Sequence, residues 1–371
     1  MLKQDLKFAV VGTGNSGQNY AADIALKGYS VNLAEVPLFA DTLKAIKRKG
    51  GIELTGEAGN GFAKLNMMTT NLPKAIKGVD IIFVGGSSFA HEPFSKALAE
   101  HFEDGQFIVF TSNFAALRFR KWMKEADVTT DITPVETMSL LYATRAIEPG
   151  VVQCIGLKNE LPCAALPASR TQAFIEKIDP VFPQFKEAAD VWLTSVNNFN
   201  PIVHPPLILF NAGRIESSSG KSWNLYGDGA TESVSKIMSD LDKDRMSILN
   251  VVSPEGGICF KDSFKVMYSD YENGIEKKTL SESLRKSPIH TNPDFPAPES
   301  LDTRYISEDL PFGLVPWSSI AQMWNIKTPT LDAVIQIAST MLEKDYFMEG
   351  ITVKDLGIEK MSPDEVKQML T

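Results

Sequence analysis

The stretch LKFAVVGTGNSGQNYAADIALKGYSVNLAE, residues 6–35, decides the fold. A short apolar run, Phe8 to Val11, meets Gly12, Gly14 and Gly17 and then a helix-like sequence; a second apolar run, Tyr29 to Ala34, ends in Glu35. Strand, glycine loop, helix, strand and terminal acid in this order form the dinucleotide-binding fingerprint in the context it requires. Gly12 permits the tight turn, Gly14 lets the backbone approach a pyrophosphate, and Gly17 lets the helix pack closely on the strand. Asn15 and Ser16 lie between them and count among the expected cofactor contacts, because the helix N-terminus offers N–H groups and a positive dipole end to phosphates. A carboxylate at Glu35 suits the adenosine ribose hydroxyls and repels a 2′-phosphate, so NAD is favoured over NADP. Lys44 and Arg48, nearby in sequence, complicate that choice.

Composition narrows the class. The chain of 371 residues is long enough for two domains with separate cores. Its formal net charge of −9, with no compensating basic run, argues against nucleic acid as a partner. No apolar stretch approaches the length of a membrane span. MLKQDLK leads into the first strand without a signal-peptide core, which predicts a cytoplasmic protein. Three cysteines, Cys154, Cys163 and Cys259, are odd in number and lack metal-ligand spacing, as expected of reduced thiols.

The fold class expected is α/β: a Rossmann-type, doubly wound parallel sheet over residues 1–187, then a mostly α-helical domain over 188–371. In the first part, VDIIFVGG (79–86) and QFIVFTSN (106–113) read as buried strands and PFSKALAEHF (93–102) as a helix. Ligands of such sheets sit outside the carboxyl ends of the strands, so Gly85 to Ser88 and Asn113 are expected to face the cofactor or substrate. GIELTGEAGNGFAKLNMMTT (51–70) reads as short strands around a Gly-rich turn, a decoration of that domain. In the second part, residues 227–252 and 328–346 carry apolar residues at helical spacing, and SPIHTNPDFPAPES (287–300) reads as a loop. Two such domains place the expected active site in the cleft between them. Only four histidines occur in the chain, and NNFNPIVHPPLILFNAGRIE (197–216) sets one, His204, at the mouth of a helix. An imidazole there suits an enzyme that shuttles a proton, although it could equally brace the helix start.

Taken in order, GTGNSG, VETMSLLYATRA (135–146), LPCAALPAS (161–169), NPIVHPPLILFNAGRIE and RYISEDLPFGLVPW (304–317) resemble the opine dehydrogenases, the octopine and nopaline dehydrogenase family. The resemblance implies an NAD(P)H-dependent reductive condensation, in which the amino group of an amino acid joins a 2-oxo acid such as pyruvate and the imine is reduced to a secondary amine. It implies that His204 is the general acid/base, that Asp309 fixes its tautomer, and that Arg304 holds the 2-oxo acid carboxylate in a planar fork. From the residues alone, Arg304 and Asp309 could instead form a structural ion pair on a loop. The oligomeric state is left open, a homodimer included.

Glu136 carries two readings. The resemblance puts it near the amino-acid substrate, whereas Thr133, Pro134 and Glu136 spell a capping box with proline at the first helical position; the local pattern favours the cap. Phe199 and Asn200 stand where octopine-forming relatives carry an aromatic hydroxyl, which argues against an arginine-specific pocket. His91 is expected to be a bystander, and His101 and His290 surface residues. Two rival functions remain: a ketopantoate reductase-type dehydrogenase of oxo or hydroxy acids, which relies on a lysine in the second domain, and a nucleotide-binding regulatory protein without turnover.

Overall fold

Side-chain alternation along the central strands decides what lies on each face of the sheet. In the computed structural model, which describes residues 6–267, 279–293 and 296–371, Phe8, Val10, Ile81, Phe83, Phe107 and Val109 enter one core cluster. Their neighbours Ala9, Val11, Ile82, Val84, Ile108 and Phe110 enter a second. Strands apolar on both faces are what a parallel sheet covered on both sides demands.

The chain divides into two compact units, one running to Thr194 and including Leu370–Thr371, the other Ser195–Met369. The first contains β1 (Lys7–Val11), α1 (Asn15–Leu26), β2 (Ser30–Ala34), α2 (Ala40–Lys49), β3 (Ile52–Gly56), β4 (Gly61–Ala63), β5 (Met67–Thr69), α3 (Leu72–Ile76), β6 (Ile81–Val84) and α4 (Ser88–Leu98). It continues through β7 (Phe107–Thr111), α5 (Ala115–Glu125), β8 (Thr133–Thr137), β9 (Tyr142–Glu148), β10 (Val151–Leu157), β11 (Leu161–Ala165), α6 (Thr171–Ile178) and β12 (Phe185–Glu187), with α7 (Val191–Val196) crossing the boundary. The main sheet has the order β12-β11-β8-β7-β6-β1-β2-β5 and is parallel except where β11 meets β8. Residues 51–70 supply β5 to this sheet and β3 and β4 to a second, four-stranded one ordered β4-β3-β10-β9.

The second unit is helical: α8 (Asn200–Leu209), α9 (Ala212–Ser218), α10 (Leu225–Gly229), α11 (Glu232–Val252), α12 (Phe260–Met267), α13 (Leu280–Arg285), α14 (Arg304–Ser307), a π-helical turn at Leu310–Leu314, α15 (Val315–Met323), α16 (Pro329–Leu342), α17 (Tyr346–Glu349) and α18 (Pro363–Leu370). The long helix α11 buries Val234, Met238, Leu241, Arg245, Ile248, Leu249 and Val252, the stripe that packs on α8 and α16. Arg245 is fully buried, and its guanidinium donates to Asp242 Oδ1 (2.8 Å), Asn197 Oδ1 (2.7 Å) and the carbonyls of Val196 and Ile258. The stretch 287–300 is irregular where described; its residues 294 and 295 lie outside the described residues.

The segment after β8 rests on a buried lysine. Lys158 donates to the Ser139 hydroxyl and the Leu140 carbonyl, neither of which carries a charge, and burial pulls its ammonium down to about 7. Because the folded value lies below the ordinary 10.5, the unfolded chain binds more protons between pH 7 and 10.5. The stability contribution of this group is therefore complete above that window and is lost as pH falls through it. In denaturant titrations across the window, Lys158→Met is expected to gain on the wild type steadily as pH is lowered; parallel pH profiles would refute the assignment.

Candidate active site

The glycine loop is built by three backbones in close approach. Gly12 has φ +107°, a region L side chains rarely adopt, and a Cβ on Gly17 would lie 2.0 Å from the Gly12 carbonyl oxygen. Gly14 differs: a Cβ there would meet only the Gly85 oxygen, at 3.6 Å, so the protein's own packing does not require its smallness. Gly14 is exposed, and no side chain caps α1 there. An open, uncapped helix start is the shape and charge a pyrophosphate needs, and the residues present fit the nicotinamide dinucleotide the fingerprint predicts. Ser16 donates to the Gly85 carbonyl (3.1 Å), and Asn15 Oδ1 accepts from the Ala146 N–H (3.0 Å).

Glu35 follows β2 directly, as the fingerprint requires, but its carboxylate also organises the loop. Oε2 accepts from both the N–H and the hydroxyl of Thr13, each at 2.8 Å, and Oε1 accepts from the Val36 N–H at 2.9 Å. A salt bridge joins Lys44 to Asp41 at 2.8 Å.

At the carboxyl end of β7 the backbone turns left-handed for three successive residues, Ser112 (φ 47°), Asn113 (64°) and Phe114 (56°). Such conformations cost about 1 kcal/mol or more each outside glycine, so the surroundings must hold them. Asn113 Nδ2 donates to Ser88 Oγ (2.7 Å), tying the ends of β7 and β6 together. Glu136 takes part from below. The helix that its capping pattern suggests does not form; Thr133–Thr137 is a fully buried strand between β7 and β11. Pro134 is tolerated at its second position because pairing with β11 begins only at Val135. Glu136 is indeed a cap, but of another helix: Oε2 accepts from the Ala116 N–H (3.0 Å) in the first turn of α5, and Oε1 from the Thr194 hydroxyl (3.2 Å). With both oxygens engaged and the side chain fully buried, a direct salt bridge to a substrate ammonium is not what Glu136 offers.

In the second unit three segments converge on His204. The histidine is the fifth residue of α8, inside the helix and not at its mouth, with Pro205 and Pro206 following within it. Those prolines remove two backbone donors, which leaves the Pro201 and Ile202 carbonyls without their i+4 partners in this short helix. His204 Nδ1 faces Asp309 Oδ2 at 2.6 Å, and Nε2 faces the Tyr226 hydroxyl at 2.9 Å. The Tyr305 ring lies against the imidazole, centroids 4.3 Å apart and tilted by 40°. Asp309, only 4% exposed, immediately precedes the π-helical turn. Burial pushes its carboxyl up, and the charge and hydrogen bond of His204 pull it back. Gly313 lets the turn seat against α8, since a Cβ there would stand 2.3 Å from Pro201 Cγ. Single π-helical turns are frequent at functional sites, and this one begins at the residue after Asp309.

The alternative reading of Arg304 and Asp309 as a structural ion pair is not what forms. Arg304 opens α14, is exposed, and gives Nε (3.1 Å) and a terminal nitrogen (2.5 Å) to Glu308 Oε2, while Asp309 turns to His204. Phe199 is buried, stacked on Phe260 with centroids 5.3 Å apart, and so belongs to the core. Asn200, four residues before His204, shares its helical face.

Of the other histidines, His290 departs from the surface position expected of it. His91 is buried against Phe110, neither ring nitrogen has a hydrogen-bond partner, and burial pushes it down to about 3, so it stays neutral near pH 7. His101 is exposed. His290 is half-buried: its Nδ1 pairs with Ser287 Oγ (2.6 Å) and its ring stands edge-on to Tyr226, centroids 5.0 Å apart. Sequence reasoning missed Tyr226, Tyr305 and Gly313. Tyr305 and Gly313 sit in the quoted 304–317 segment, but nothing in the sequence around Tyr226 distinguishes it.

Residues 187–342 match the family model described as the α-helical domain of NAD/NADP octopine/nopaline dehydrogenase. The chain is 32% identical to an opine dehydrogenase from Arthrobacter sp. (strain 1C) over 364 residues, 96% of each protein. Its fold is similar to that of an octopine dehydrogenase solved with NADH and agmatine (TM-score 0.79, 16% identity, 97% of each chain). It is less similar to a ketopantoate reductase from Ralstonia eutropha (TM-score 0.60, 15% identity, 92% of this chain and 99% of that one). No helix among the described residues is long and apolar enough to cross a membrane. Identity at this level along nearly the whole length, joined to the matched helical domain, shows that the chain belongs to the opine dehydrogenase family, NAD(P)-dependent oxidoreductases that condense an amino acid with a 2-oxo acid and reduce the product to a secondary amine.

Proposed function

We propose that His204 is the general acid/base of this reductive condensation, with Asp309 as its orienting partner and Arg304 as the receptor of the 2-oxo acid carboxylate. The observation that carries the reading is the 2.6 Å contact of His204 Nδ1 with Asp309, in the helical unit that the family model matches. A carboxylate can only accept, so Nδ1 carries the proton and Nε2 is left as the working nitrogen. Nε2 is the atom on which the charge of the proton lost by the amino acid's ammonium comes to rest, freeing the nitrogen lone pair for attack on the carbonyl carbon. A proton given back to the carbinolamine hydroxyl lets water leave and the imine form. Asp309 stabilises the imidazolium between the two steps. The nicotinamide, when bound, supplies the hydride that reduces the imine carbon.

Arg304 presents a planar fork whose partner, Glu308, is on its own helix turn; a substrate carboxylate takes over those donors. The glycine loop, with Gly12, Gly14, Asn15, Ser16 and Gly17, holds the pyrophosphate, and Glu35 accepts from the ribose, which favours NADH over NADPH. Asn113 lines the same sheet edge as a contact for substrate or nicotinamide. Asn200, a neutral amide one turn before His204, favours an amino acid without a guanidinium, and pyruvate is the simplest oxo acid that meets the Arg304 requirement.

NADH oxidation is expected only when a 2-oxo acid and an amino acid are both present; oxidation with oxo acid alone, indifferent to the amine, would select the ketopantoate reductase-type reading. His204→Ala is expected to lower turnover about 100-fold or more while NADH binding, read by nucleotide fluorescence, stays unchanged. Equal turnover in the variant would reduce His204 to scaffolding. For the cofactor, Glu35→Gln is expected to shrink the ratio of kcat/KM with NADH to that with NADPH, and an unaltered ratio would contradict the ribose role.

A further inference from the structure

A neutral imidazole nitrogen has one lone pair and accepts one good hydrogen bond. At His204 that position is already filled: the Tyr226 hydroxyl stands 2.9 Å from Nε2, on the side opposite Asp309. A proton that reaches His204 from a substrate must therefore pass through this hydroxyl or wait for it to move.

Moving it is costly, because Tyr226 is held by its neighbours. It is 7% exposed, and its ring packs edge-on against His290. Its short helix α10 is pinned along its length: Asn224 Oδ1 accepts from the Gly227 N–H (2.6 Å), Arg285 Nε donates to the Gly227 carbonyl (2.8 Å), and Asn211 donates to Gly229 (3.2 Å). Ser281 fixes the following carbonyl, of Ala230, at 2.6 Å. A phenol, by contrast, needs no displacement to pass a proton on, since its oxygen accepts and its O–H donates at the same time.

We propose that Tyr226 is the relay between His204 and the reacting atoms, the third member of an Asp309–His204–Tyr226 array. This rests on the reading of His204 as the acid/base. In the forward direction the substrate ammonium N–H bond breaks as a new O–H bond forms on Tyr226, while the original phenolic proton leaves for Nε2, whose lone pair takes it. In the second step the sequence reverses: the Nε2 proton returns to the phenol oxygen as the phenol gives its proton to the carbinolamine hydroxyl, which departs as water. The phenol is restored after each transfer and no net charge stays on it. Half-buried His290, which pairs with Ser287, is a positioning residue for the Tyr226 ring.

The test is Tyr226→Phe, which keeps the ring and its packing, read beside wild type and His204→Ala with an oxo acid and amino acid pair. The relay predicts that kcat falls about 100-fold, the size of a lost proton-transfer group, with both KM values and NADH binding nearly constant. It also predicts a solvent-deuterium inventory that is bowed for wild type, two protons moving together, and straight for the variant. Unimpaired kcat in Tyr226→Phe would overturn the relay, and so would a lower KM for the amino acid at constant kcat, the sign of a hydroxyl that merely occupies the substrate's place. Should the variant unfold, replacing tyrosine by 3-fluorotyrosine keeps the shape and makes the phenol more acidic; kcat is expected to change, and an unchanged kcat overturns the relay. Absence of turnover in wild type would instead overturn the reading of the reaction, and the relay with it.

Discussion

Backbone pressed against a proline ring is the constraint on which the proposed catalytic group depends. Gly313 lies so close to Pro201 that a Cβ at that position would stand 2.3 Å from the ring, and a proline ring cannot rotate aside. This approach sets the π-helical turn against α8, and Pro201 is three residues before His204 while Gly313 is four after Asp309. Two side chains 105 residues apart in the chain are thereby held at 2.6 Å. The geometry comes from the fold of the helical unit itself, through short, rigid elements whose rotamers the packing restricts. Tyr305 against the imidazole face and Tyr226 at its outer nitrogen leave the ring little freedom to turn.

The nucleotide-binding unit uses the same device at the other end of the chain. Gly17 against the Gly12 carbonyl sets α1 on the sheet, and Glu35, at the end of β2, ties the loop to the neighbouring strand through Thr13. In both units a close backbone contact does the positioning and a buried carboxylate orients what it brings together. Glu136 follows the second half of that pattern, holding the start of α5 beside the left-handed turn at Ser112–Phe114. Strain there persists because Asn113, Ser88 and Glu136 restrain it from separate strands and helices.

Much of this was legible in the residues. The strand–loop–helix–strand order pointed to the parallel sheet, whereas the pairing of Asp309 with His204 was expected only through the family resemblance. Glu136 misled because its capping pattern is purely local, whereas the strand it forms is stabilised by partners on both sides that local sequence does not display. Arg304 and Asp309 were close enough to pair, yet the buried member turned inward to the histidine and the exposed one found Glu308 on the next turn. Tyr226 and His290 were illegible for a different reason: Tyr226 meets His204, and His290 meets Tyr226, only through the packing of α10 and the irregular segment after α13, and neither sits in a pattern with its own local cause. Even the position of His204 within α8 was hidden, because two consecutive prolines read as the edge of a helix when they lie inside one.

If His204 and Asp309 work as one unit, removing either must remove most of what the other contributes. A double-mutant cycle on turnover, with His204→Ala, Asp309→Asn and the two combined, measures this directly. A working His204–Asp309 unit predicts strong non-additivity, the double variant being little slower than His204→Ala alone. Multiplying losses, with Asp309→Asn slowing the His204→Ala enzyme as much as it slows the wild type, would contradict it.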